Sequence, residues 1–156
     1  MNLASYNGDV VAWANQQAWL IRNKKFDLLD LENIAEEIED VSKSEQRELA
    51  HRMAVLLQHL LKWQYQPERQ GTSWQLTIKE QRERIKRRLK KMPRLKSCFK
   101  DEDWWVDAWS DAKTDAEKET HIAFDQFPQQ CPWTAEQILE QTWFPDDNVN
   151  QTKVKE

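Results

Sequence analysis

The sequence predicts an all-α fold, a single-domain bundle of about five or six helices around one buried helix near residues 45–66. Three observations lead there. Only 2 of the 156 residues are glycine, and the tight turns of most β and α/β folds draw on glycine heavily. Apolar residues recur at three- and four-residue spacing, and no segment shows the two-residue alternation of a strand. The run from Met53 to Leu61 is apolar on nearly every side if helical, which places it in the middle of a fold.

The elements follow in order. Asn7-Gly8-Asp9 is a turn and cap, and Val10, Trp13, Ala14, Gln17, Leu20 and Ile21 give a first helix over about residues 9–22 with one inward stripe. Asn23-Lys24-Lys25 closes it with positive charge at the carbonyl end of the macrodipole. Phe26, Leu28 and Leu29 make an apolar connector, and Asp30 caps a second helix whose inward line is Leu31, Ile34, Ala35, Ile38 and Val41.

That pattern runs on into the central helix. A rod from Leu31 to Tyr65 would be about 50 Å long, more than the roughly 40 Å diameter of a compact domain of this length. Ser42 and Glu45 also have the spacing of a capping box. Both points predict a break or bend near residues 42–44. Pro67 stops the central helix, and Thr72 or Ser73 caps the next, with Trp74 at its start and a thin apolar line of Ile78, Ile85, Leu89 and Met92. Pro93 ends it, and a short helical turn fits residues 95–99. Asp101 or Asp103 opens another helix carrying Trp104, Trp105, Ala108, Trp109, Ala112 and Ala116, extending toward Ile122 and Phe124. Thr134 and Gln137 form a capping box for a short helix over Ile138 and Leu139. The domain spans residues 1–145, and the polar tail 146–156 is expected to be disordered.

Charge and composition narrow the function. Net charge is −4, so nothing draws the whole chain toward nucleic acid or an anionic membrane. No stretch has the apolar length of a membrane span, and the N-terminal residues lack the form of a signal peptide. Two cysteines, Cys98 and Cys131, read as free thiols in a reducing cytosol. Gly8 and Gly71 stand alone, which removes phosphate-cradling loops, and no serine sits in a nucleophile elbow. The balance leans against an enzyme, and no cofactor is expected.

Four constellations remain. His59, Lys62, Trp63, Arg69, Trp74 and Arg82 flank the junction of the central helix and its loop, a candidate polar pocket for an anionic group. Between Lys79 and Lys100 the chain carries eleven basic residues against Glu80 and Glu83. Its candidate basic face is Arg84, Arg87, Arg88 and Lys91, read first as pairing with the acidic stretch 27–48 in an antiparallel neighbour and second as a nucleic-acid contact. Glu48 with His51, together with His59 and His121, are candidate metal ligands whose spacing matches no known ligand pattern. Trp104, Trp105 and Trp109 are candidates for an exposed apolar patch.

The stretches VAWANQQAWLIRNKKFDLLDLENIAEEIEDVSKSE, HLLKWQYQPERQGTSWQLTIKEQR and FPQQCPWTAEQILEQTWFP resemble the domain-of-unknown-function 29 family, small and mostly bacterial helical proteins. The middle stretch is the most specific. The resemblance implies an all-helical fold and brings no activity, cofactor or catalytic residue. The functional expectation is therefore a small, non-catalytic cytoplasmic interaction module, self-associating through its tryptophan-rich surface or binding another protein. Nucleic-acid binding through residues 79–100 is the alternative, and a metal-dependent enzyme ranks below it.

Overall fold

The computed structural model describes residues 2–146, and residues 147–156 of the expected tail lie outside them. The described residues hold five α-helices and no strand. They are α1 (Val10–Arg22), α2 (Leu31–Tyr65), α3 (Thr72–Lys91), α4 (Glu102–Thr120) and α5 (Ala135–Leu139), with an eight-residue 3₁₀ segment at Pro93–Lys100 and shorter 3₁₀ turns elsewhere. The chain divides into two compact units, residues 1–44 and 45–156.

The expected break at residues 42–44 does not occur, because α2 is one helix of 35 residues. It contains neither proline nor glycine, so no position interrupts the hydrogen-bond ladder. The length limit also assumed a single compact body. This helix gives residues 31–44 to one unit and residues 45–65 to the other.

In the first unit, Asp9 caps α1 by accepting from the backbone N–H of Val11 and Ala12, both at 3.1 Å. After Asn23 the chain turns through Lys24 at φ 59°. The Lys25 N–H bonds the Leu20 carbonyl at 2.9 Å and the Lys24 N–H bonds that of Ile21 at 3.0 Å, a Schellman closure with lysine where glycine is preferred. Only Trp13, Gln17 and Leu20 of α1 are buried. Trp13 Nε1 donates to Asp30 Oδ2 at 3.0 Å, Gln17 Oε1 accepts from the Asp30 N–H at 2.9 Å, and the Tyr6 hydroxyl donates to Glu37 at 2.7 Å. That last bond, chiefly, pushes the Tyr6 phenol up to about 12.

These polar contacts decide which side of α2 faces α1. A tryptophan N–H, a glutamine amide and a tyrosine hydroxyl need partners when taken from water, and Asp30 and Glu37 supply them. Most of the line predicted to face inward is consequently turned out, with Ile34 half-buried. Leu31 is 67%, Ile38 66% and Val41 67% exposed, and Val10 and Ile21 of α1 are exposed as well.

The second unit matches the expected centre. Leu49, Met53, Leu56, Leu57, Leu60 and Leu61 of α2 are fully buried, and burial of each such side chain stabilises the fold by about 1.5–3 kcal/mol. Lys62 lies over Trp74 and Arg88 reaches Glu45, so α3 runs antiparallel to α2. Trp104 Nε1 donates to the Gln46 carbonyl at 3.0 Å and Lys62 pairs with Glu119, so α4 runs parallel to it. Ala108, Ala112 and Ala116 are fully buried, a small-residue line that lets α4 approach its neighbours closely.

Three boundaries differ from expectation. Gly71, not Thr72 or Ser73, is the residue before α3, and it offers no side-chain cap. The expected turn at 95–99 is part of Pro93–Lys100. Helix α4 stops at Thr120, where His121 takes a left-handed conformation (φ 62°) and its N–H bonds the Glu117 carbonyl. The capping box of Thr134 and Gln137 is present in full, and Ile138 is buried behind it.

Candidate functional site

The predicted polar pocket separates into two places. Lys62 is buried, pairs with Glu119 and sits 5.1 Å from the Trp74 ring. His59 lies nearby, its Nδ1 2.9 Å from the Val55 carbonyl. Burial holds its pKa below the usual histidine range, with the Lys62 ammonium adding to the effect. Glu119 is held below the usual carboxylate range, first by the hydrogen bond from Lys62. The predicted trio of positive charges around a cavity is not formed here, because Lys62 is already neutralised by a carboxylate that sequence reading did not single out.

Arg82 belongs to the other place. It is 1% exposed, and it donates to the carbonyls of Ile138 at 2.7 Å, Gln141 at 3.2 Å and Trp143 at 2.6 Å. Its guanidinium lies 5.3 Å from the Phe144 ring, which also packs on Trp63 at 4.5 Å. Arg82 thus fastens the segment after α5 to α3. Burial lowers its pKa to about 10, still far above neutrality. Arg69 is exposed in the 3₁₀ turn Pro67–Arg69.

The basic face lines a surface groove with Glu45 and Arg52. Arg84 pairs with Glu80 at 2.6 Å and Arg88 with Glu45 at 2.8 Å, so intramolecular pairing accounts for two of its four members. Arg87 and Lys91 are exposed. The antiparallel pairing has the expected direction: Glu45 faces Arg88, whereas Glu48 is taken by Arg52 on its own helix.

The metal candidates do not converge. His51 and His121 are exposed, His59 is turned to a backbone carbonyl, and Glu48 is paired with Arg52. Among the described residues no group of three or more His, Cys, Asp or Glu could hold a metal ion. Both thiols are free and protonated at neutral pH, since burial raises Cys98 and pushes Cys131 up to about 11.

The tryptophan patch is corrected by burial. Trp104 and Trp109 are core residues whose indole N–H groups bond the carbonyls of Gln46 and Pro128. The apolar surface lies elsewhere. Of the twelve large hydrophobic side chains exposed among the described residues, ten fall within residues 1–44. Leu31, Ile34, Ile38 and Val41 are spaced three, four and three apart, the seam of a helix meant to pack against another helix. At 100° per residue Ala35 and Ser42 follow one border of that seam, and Glu37 and Ser44 the other. Residues 1–44 hold eight acidic and four basic side chains, a difference equal to the whole net charge of the chain. The periodicity was visible in the sequence, but not which way it would face.

Among its described residues the protein is all-helical. The chain belongs to the family described as Domain of unknown function DUF29, which matches residues 5–144. No curated protein and no solved structure matches it. Among the described residues no helix is long and apolar enough to cross a membrane.

Proposed function

We propose that this protein is a non-catalytic cytoplasmic interaction module whose first unit docks a partner helix along Leu31, Ile34, Ile38 and Val41. The observation that carries the reading is the exposure of Leu31, Ile38 and Val41 to about two thirds at heptad spacing. Three such side chains together cost several kcal/mol to keep in water, which a partner would recover. The partner is an amphipathic helix with lysine or arginine beside its apolar ridge, because Glu37 borders the seam, residues 1–44 carry eight acidic side chains against four basic ones, and opposite charges across an interface fix its register and speed its formation. A second copy of the same unit would set like charge against like charge, since each carries eight acidic and four basic side chains. Helix α3 of a second copy supplies positive charge without a ridge, since its Ile78, Ile85 and Leu89 are buried.

The experiment is a titration with two synthetic helical peptides of identical leucine heptads, one flanked by lysine and one by glutamate. The lysine peptide is expected to bind with an affinity on the order of micromolar, more weakly as salt rises, and not to bind the Ile38→Glu variant. Equal binding of both peptides removes the charge argument. Binding of neither, with a chain that is a dimer dissociated by Ile38→Glu, makes the partner a second copy. Binding of neither by a monomer ends the reading.

A second reading, nucleic-acid contact, is favoured by one observation. Lys86, Arg87, Lys90 and Lys91 are exposed along one helix, and such a face attracts phosphates.

A further inference from the structure

A cleft of about 790 Å³ opens in the second unit between α4 and the chain that follows it. Its volume falls within the usual range of small-molecule sites, about 300–1,000 Å³. The walls are aromatic, with Trp105 and Trp109 from α4 and Phe124 and Trp133 from the later segment. Trp109 and Trp133 meet edge to face at 5.7 Å, so the walls are braced against each other.

One charged side chain sits among these rings. Lys113, one turn after Trp109, is only 5% exposed and lines the cleft. Its ammonium lies 4.1 Å from the Phe124 centroid and 6.0 Å from that of Trp109. It donates to the Gln129 carbonyl at 3.4 Å, a long bond for a charged donor. Asp125 acts on it from outside ion-pair distance, and Glu102 also borders the cleft. Among the described residues no ion pair holds Lys113, in contrast to Lys62, which has Glu119. An ammonium carries three donors, and a buried charge without an anionic partner is costly.

We infer that this cleft is a binding site for a flat aromatic molecule bearing one carboxylate, with the rings stacked between Trp105 and Trp133 and the carboxylate on Lys113. A ring matches walls that prefer offset or edge contacts. A carboxylate supplies the acceptors that the ammonium lacks, and a neutral ring of the same shape would leave them missing.

The test is a titration of the full chain with 2-naphthoate and, separately, 2-naphthamide, read by tryptophan fluorescence and by the indole N–H signals in NMR. 2-Naphthoate is expected to bind at least ten-fold tighter than the amide and to shift the indole signals of Trp105 and Trp133 but not that of Trp74. Lys113→Met is expected to reduce naphthoate to the affinity of the amide. Should that variant fail to fold, Val106→Trp at the exposed mouth of the cleft is expected to weaken both ligands at least ten-fold. Equal binding of acid and amide, shifts confined to other tryptophans, or no binding at millimolar concentration would each overturn the assignment.

Discussion

Arg82→Met is the substitution whose cost the geometry defines best. Methionine keeps most of the buried stem and removes the guanidinium. Three backbone carbonyls, those of Ile138, Gln141 and Trp143, then lose their donor at once. An unsatisfied buried acceptor costs about 1–3 kcal/mol. The Gln141 bond is the longest at 3.2 Å, and Gln141 is exposed, so water can replace that donor. Two full losses remain, plus the contact between the guanidinium and Phe144, worth about 0.5–2 kcal/mol. The expected loss is about 2.5–8 kcal/mol, a large share of the stability of a domain this size. Urea unfolding followed by tryptophan fluorescence measures it. Hydrogen exchange locates it, because residues 138–144 should lose protection before the leucines of α2 do. A loss below about 1 kcal/mol with unchanged protection at 138–144 would refute the reasoning, since those carbonyls would then not depend on Arg82.

Further outcomes follow from single positions. Lys24→Gly should stabilise the protein by about 0.5–1 kcal/mol in thermal unfolding, because glycine suits the left-handed position that closes α1. Thr134→Ala should cost about 1 kcal/mol by removing the capping box of α5. His59 has a lowered pKa in the fold, so the unfolded chain binds the proton more readily and stability should fall as pH drops through the unfolded value near 6.5. Urea midpoints between pH 8 and pH 5 should show this slope, and His59→Gln should flatten it. For the nucleic-acid reading, a gel shift at low salt that is abolished by Arg87→Glu with Lys91→Glu would support it, and no shift for the wild type would remove it.

The sequence reached furthest where periodicity, caps and burial agree. Leu56 to Leu61 is apolar on most sides, so its place at the centre did not depend on orientation. Asp9 and the Thr134–Gln137 box announce their helices locally. The first unit differs from expectation because amphipathicity says that a stripe wants cover, not that this chain supplies it. Tyr6, Trp13 and Gln17 drew α1 onto the carboxylate side of α2 instead. The polar pocket failed for a related reason. Lys62 and Arg82 are close in sequence terms, but Glu119 and the Ile138 to Trp143 carbonyls that claim them come from distant segments. Lys113 is legible in the sequence only as a lysine one turn from Trp109 on the apolar face of α4.

A docking surface on α2 requires that its seam meet water in the isolated chain. Cysteine placed at Ile38 and, in a separate variant, at Leu57 can be timed against a maleimide under native conditions. Ile38→Cys is expected to react within a few-fold of a free peptide thiol, while Leu57→Cys stays as slow as the buried native Cys98. If the thiol at position 38 reacts as slowly as the one at 57, the seam is covered within the protein itself and no docking surface exists there.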